Sequence, residues 1–192
     1  MYLVFDTETT GLPKNYQAPV SDSDNWPRLV QLAWQVYDAD GNLWEKHNHI
    51  IRPDGFVIPE EATRIHRISH EQALRLGEDL RQVLEKFALQ VRRAEFLVGH
   101  NISFDEKIIG AEFWRHSIKD VVEEAKKICT MKASANFCAL PNGRGSYKWP
   151  NLSELHFKLF GENFAEAHDA DVDVSACARC LFALKSKGVL NL

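Results

Sequence analysis

The sequence predicts an α/β or α+β fold with a mixed sheet, and three observations carry that expectation. Met1–Phe5, Arg28–Tyr37 and Leu43–Ile51 are apolar, strand-like runs that open the chain. Segments of helical periodicity follow, interrupted by one more short apolar strand at Phe96–Gly99. No internal repeat or low-complexity tract divides the 192 residues, a length suited to a single domain over residues 1–192 with one core.

Each element has a local reason. Thr10–Pro27 is polar and rich in Pro, Asn, Asp and Ser, which predicts a long surface loop. Asp40-Gly41, between the second and third runs, is a hairpin signal. Ser69 with Gln72 has the pattern of a capping box and starts a helix. Asp79–Val91 places Leu80, Val83, Leu84, Phe87 and Val91 on one helical stripe. The Phe96–Gly99 strand runs into HNISFDEKIIGAEFW, where Ile102, Ile108, Ile109 and Phe113 predict another helix. Asn142–Asn151 is a Gly- and Pro-punctuated loop carrying Arg144, Tyr147, Lys148 and Trp149. A helix over Leu152–Phe160 should stop at Gly161, and a last one should run over Ala170–Lys185.

Composition narrows the function. With 45% hydrophobic and 26% charged residues the chain reads as an ordinary globular protein. A net charge of -4 and a pI near 6.1 argue against binding nucleic acid through a global basic surface, and leave room for a local groove. No apolar run reaches the roughly 20 residues of a membrane span, and the start lacks the order of a secretory signal, so a cytoplasmic protein without membrane contact is expected. Cys129, Cys138, Cys177 and Cys180 fit reduced thiols, and Cys177-x-x-Cys180 lacks the second pair that a structural zinc site would need.

The chemistry-bearing residues are acidic. Side chains alternate along a strand, so Asp6 and Glu8 share a face where the first strand ends, and something positive is needed between them. Asp105 follows the Phe96–Gly99 strand, and HDADVD, from His168 to Asp173, opens the last helix. Singly, each has a plainer explanation as a turn, cap or first-turn carboxylate. Together, without Lys or Arg in the same motifs, they suit hard divalent cations with oxygen ligands, Mg²⁺ or Mn²⁺.

The motifs D-T-E-T-T-G, H-N-I-S-F-D and H-D-A-D-V-D, in that order, resemble the three motifs of the DEDDh, or DnaQ-like, 3'-to-5' exonucleases, which include polymerase III epsilon-type proofreading subunits, RNase T and oligoribonuclease. The likeness spans nearly the whole chain. It implies a ribonuclease H-like fold in which helices flank a mixed central sheet. It also implies a phosphodiester hydrolase that releases nucleoside 5'-monophosphates from the 3' end by a two-metal mechanism. Carried over by position, Asp6, Glu8, Asp105 and Asp173 would be the metal-binding carboxylates and His168 the general base. His168 should lie on the loop before the last helix, because five residues of α-helix turn through about 140° and would aim it away from Asp173. Asp169 and Asp171 are expected as cap or solvent-facing residues, and His100 as a packed histidine rather than a rival base.

Thr7, Thr9 and Phe104 are candidate neighbours of the terminal nucleotide, and ATRIHRI resembles the family's pocket segment, which makes His66 a candidate for the terminal sugar. Arg144, Tyr147, Lys148 and Trp149 could follow a single strand or form a plain solvated loop. Ile128–Met131 carries Cys129 where many relatives have an acid. The expected substrate is nucleic acid with a free 3' end, single-stranded or frayed DNA first and RNA second, with a DNA polymerase as possible partner and a role in proofreading or repair. An exoribonuclease and a non-cleaving nucleic-acid-binding or polymerase-docking module are the alternatives.

Overall fold

A computed structural model describes residues 1–143, 145–164 and 169–190 of the chain. The elements in order are β1 Tyr2–Thr9, β2 Leu29–Tyr37, β3 Leu43–Ile50, α1 Glu60–His66, α2 His70–Leu76, α3 Leu80–Arg93, β4 Phe96–Gly99, α4 Ser103–Arg115, β5 Lys127–Cys129, α5 Thr130–Ala133, α6 Ala135–Cys138, α7 Leu152–Phe160 and α8 Ala170–Ser186. The five strands form one mixed sheet in the order β3-β2-β1-β4-β5. β1, β2 and β3 are antiparallel neighbours, whereas β4 lies parallel to β1 and β5 parallel to β4.

The hairpin forms where Asp40-Gly41 predicts it. Asp38 closes the turn by accepting the Asn42 amide at 2.9 Å, and Gly41 has φ +89°, a conformation that a Cβ would strain while pressing on the Phe182 ring. Ser69 and Asp79 cap α2 and α3 through Gln72 and Gln82, and Asn151 with Glu154 closes a full capping box on α7, which ends at Gly161 with φ +73°. The Thr10–Pro27 segment contains turns and no regular element. It is tethered by Arg115, whose guanidinium donates to the Ser23 and Trp26 carbonyls at 2.6 Å each.

One strand departs from expectation. β1 runs past Phe5 to Thr9, because β2 pairs with it from Tyr2↔Tyr37 to Thr9↔Leu29 and supplies hydrogen bonds that polar residues use as well as apolar ones. β5, α1, α5 and α6 were not anticipated; all four are short.

The sheet is covered on both faces. Leu3, Phe5, Trp34 and Leu97 pack under Val83, Leu84 and Phe87 of α3 and Ile108, Ile109 and Phe113 of α4. Tyr2, Val4 and Val98 pack under Val174, Cys177, Ala178 and Leu181 of α8. Full burial of side chains of this size contributes about 1.5–3 kcal/mol each before entropy is counted. The four cysteines are unpaired; Cys177 belongs to the α8 layer, and Cys138 and Cys180 pack with Leu155 and Leu184. Among the described residues no helix is long and apolar enough to cross a membrane.

Candidate active site

The alternation that sends Tyr2 and Val4 toward α8 sends Asp6 and Glu8 the same way, and Asp173 stands in the first turn of α8. One carboxylate oxygen from each of Asp6, Glu8 and Asp173 lies within 4.8 Å of the others, the only such group of potential metal ligands among the described residues. Thr7, between the two strand acids, points to the opposite face. There its amide and hydroxyl both donate to Asp105 Oδ1, at 3.1 and 2.6 Å. Asp105 is 3% exposed in the first turn of α4 and does not join the tight group of three.

The electrostatics are those of crowded, buried acids. Burial first, then Asp105, Asp173, Glu8 and Asp169, hold the Asp6 carboxyl well above the usual carboxylate range. Glu8 is pushed up to about 8 by burial and by Asp173, Asp105 and Asp169. Burial raises Asp105 to about 7, against the opposing pull of its Thr7 hydrogen bonds. No basic side chain figures among the causes for any of the three. An all-oxygen donor set of this charge fits hard divalent cations, which would return these groups to their ionised forms.

Asp169 caps α8, accepting the Asp171 amide at 3.0 Å and a Gln31 Nε2–H at 3.1 Å. Asp171 is not solvent-facing: it is half-buried, pairs with Lys46 at 2.8 Å, and keeps Oδ1 buried without a hydrogen bond. α8 begins at Ala170, after His168; that residue, like Arg144, lies outside the described residues. His100 is packed, as expected. The Pro150 carbonyl can only accept, so Nε2 donates to it at 3.0 Å while Nδ1 faces the Thr130 hydroxyl at 3.0 Å; burial pushes the imidazole down to about 4, which keeps it neutral.

Beside the carboxylates a pocket of about 210 Å³ is lined by Thr7, Glu8, Thr9, His66 and Phe104, and by Leu12 and Ile65, which the motifs had not singled out. Leu12 is 74% and Ile65 55% exposed, large apolar residues left uncovered at the edge of a polar site. Their signal in the sequence was only proximity: Leu12 follows D-T-E-T-T-G, and Ile65 lies inside ATRIHRI. Phe104 is partly buried and packs on the α3/α4 core while also lining the pocket, so it belongs both to the core and to the pocket wall. His66 accepts the Ile68 amide through Nδ1 at 3.1 Å, which leaves the proton on Nε2; that atom is buried and forms no hydrogen bond. Burial holds this imidazole below its ordinary value.

The chain is similar to several known proteins. The PolC-type DNA polymerase III of Streptococcus thermophilus is 29% identical over 196 residues, covering 100% of this chain and 12% of the polymerase. That of Streptococcus pneumoniae is 29% identical over 182 residues, covering 94% and 11%. This chain therefore spans only about an eighth of the curated relatives it matches. Among solved structures, exonuclease I superposes with a TM-score of 0.76 at 20% identity, over 96% of this chain and 40% of that one. E. coli exonuclease I in complex with a dT13 oligonucleotide gives 0.75 at 20%, over 96% and 41%. The fold they share is ribonuclease H-like. Residues 3–181 match the RNase T exonuclease family, and the chain belongs to that family.

Proposed function

We propose that the chain removes nucleotides from the 3' end of DNA as nucleoside 5'-monophosphates, with Mg²⁺ or Mn²⁺ as cofactor and a role in proofreading or repair. The observation that carries this reading is the cluster of Asp6, Glu8 and Asp173, half-buried together, with Asp6 and Glu8 holding protons more tightly than ordinary carboxylates, opening beside an apolar pocket. Asp6, Glu8 and Asp173 would hold the cations, with Asp105 completing the set. Two divalent cations, when bound, supply charge stabilisation for the attacking and leaving oxygens at phosphorus.

The remaining work falls to the chain's own residues. Leu12, Ile65 and Phe104 offer apolar surface on which the terminal base is wedged or stacked. His66 offers its unpartnered Nε2–H toward the terminal sugar, and the backbone of Thr7 and Thr9 lines the same pocket. His168 takes the proton from the attacking water, a task suited to an imidazole that titrates near neutrality. On this reading residues 1–192 form one exonuclease domain. Four unpaired cysteines suit a reducing cytoplasm.

DNA is favoured because the similar polymerases are named as DNA polymerases and the structural neighbour was solved with a deoxyoligonucleotide. A DNA polymerase is the partner this suggests. An exoribonuclease is the second reading, favoured by the family's RNase T type. The deciding experiment digests 5'-labelled single-stranded DNA, mismatched duplex DNA and single-stranded RNA of one sequence, with Mg²⁺ and with EDTA. A metal-dependent ladder on DNA that is lost in Asp6→Ala and His168→Ala supports the proposal. A ladder on RNA alone would replace it with RNA maturation, and no cleavage of any strand by folded, metal-loaded protein would leave a binding module.

A further inference from the structure

We propose that Tyr147 and Trp149 form a stacking platform for the unpaired strand that leads into the carboxylate site, so that the occupant of this face is single-stranded nucleic acid. The inference rests on the reading that the chain acts on a nucleic acid. The backbone here is pinned. Pro141 and Tyr147 form an antiparallel bridge, and the Lys148 amide donates to the Leu140 carbonyl at 2.8 Å. The Pro150 carbonyl accepts from His100 at 3.0 Å, and Asn151 begins α7 with a reciprocal cap.

Side chains alternate along an extended segment, so Tyr147 and Trp149 share one side, while Lys148 turns to the Glu154 carboxylate. Held in this way, Tyr147 remains 50% and Trp149 60% exposed. Large aromatics fixed on a pinned backbone and left in water have no role in the core. The Lys132 ammonium lies 5.8 Å from the centre of the Trp149 ring. Aromatic faces beside ammonium groups are the chemistry that holds bases and phosphates of a single strand without sequence preference.

The platform is joined to the site. Val4 pairs with Val98, so the end of β4, where His100 stands, lies beside the acidic end of β1. His100 also meets Thr130, whose hydroxyl reaches Cys177, one helical turn beyond Asp173. A strand whose 3' end sits in the Phe104 pocket therefore has a rigid aromatic surface available on the same end of the sheet.

The test compares the full chain with Trp149→Ala, Tyr147→Ala and Trp149→Phe. Anisotropy of fluorescently labelled dT15 in EDTA reads binding without cleavage. Trp149→Ala is expected to weaken it about ten-fold, the loss typical of one stacked base, and Trp149→Phe to restore most of it. With Mg²⁺, KM for dT15 should rise at unchanged kcat, while turnover of the p-nitrophenyl ester of thymidine 5'-phosphate, too short to reach the platform, stays at the parental rate. Unchanged affinity for dT15 in Trp149→Ala, equal losses on dT15 and the ester, or a parent protein that binds no dT15 would each overturn the platform. Binding that depends on Trp149 in a parent protein that cleaves nothing would uphold the platform and sink the hydrolytic reading instead.

Discussion

Thr7 donates two hydrogen bonds to one oxygen of Asp105, a residue 98 positions later, from its amide at 3.1 Å and its hydroxyl at 2.6 Å. The residue between two acids of one strand face thus binds a third acid on the other face. Both bonds favour the ionised form of Asp105 and oppose the burial that raises it to about 7.

Thr7→Val keeps the shape and removes the hydroxyl, leaving a buried carboxylate one donor short. The expected cost is about 1–3 kcal/mol in urea denaturation. Asp105 should then hold its proton more tightly, so the Mg²⁺ concentration needed for half-maximal cleavage rises, more at pH 6.5 than at pH 8.5. Thr7→Ser should restore both; a Val variant with parental metal dependence would separate Asp105 from the metal site.

Asp6 presents the opposite trade. Its carboxyl is buried among Asp105, Asp173, Glu8 and Asp169, all of which disfavour its charge. Asp6→Asn should reduce cleavage to background, yet in EDTA at pH 8.5 it should gain about 0.5–2 kcal/mol, the range seen when strain kept for function is relieved. Loss of activity together with a lower melting temperature in EDTA would point to a structural role for the carboxylate.

The metal-free protein should also be less stable in base. Unfolded carboxylates titrate near 4, whereas folded Asp6 lies well above that, Glu8 is near 8 and Asp105 near 7. These three acids therefore bind more protons in the folded chain than in the unfolded chain between those limits. They outnumber His66 and His100, whose lowered values act in the opposite sense up to about pH 6.5, and stability falls as pH rises from about 4 to 8. Each kcal/mol corresponds to about 2–4 °C in a chain of this size, so a drop of at least that size is expected in melts from pH 5.5 to 8 with EDTA. Mg²⁺ should stabilise more at pH 8 than at pH 5.5. A metal-free melting temperature that climbs over this interval would contradict the arrangement.

Much of this was legible in the chain. The helix stripe of Leu80, Val83, Leu84 and Phe87, the cap at Ser69 and the stop at Gly161 are local features, and they formed as local rules require. The end of β1 was not, because Asp6, Glu8 and the threonines around them look like turn residues until β2 is paired beside them. β5 was hidden for a related reason: three residues become a strand only against the edge of β4. Alternation alone put Asp6 and Glu8 on one face; which helix they would meet, and that Asp105 would be drawn to Thr7 rather than into the group of three, depended on long-range packing. Leu12 and Ile65 lie beside or within motifs that did not single them out, and their exposure beside the acids is what marks them.

Gln31 shows how far such long-range order extends. It lies opposite Glu8 in the β1–β2 register and is 3% exposed. Its Oε1 accepts the Ala170 amide at 3.2 Å, and its Nε2 donates to Asp169 at 3.1 Å and to Asn48 at 2.9 Å. One buried amide therefore ties the sheet to the start of α8, the helix that carries Asp173 and follows His168. Gln31→Met preserves the bulk and removes every one of these bonds, at a cost of about 1–3 kcal/mol for the groups left unpaired. Small displacements of a positioned group cost rate more than binding, so kcat on single-stranded DNA should fall by about ten-fold or more while KM moves little. Gln31→Glu keeps an acceptor for Ala170 but sets a fourth carboxylate near Glu8, Asp169 and Asp173; it should lose more activity than the methionine variant, and recover part of it at higher Mg²⁺. Steady-state kinetics over a Mg²⁺ series decides this, since a purely structural glutamine would give two variants that differ in stability but share the parental kcat at a temperature where both are folded.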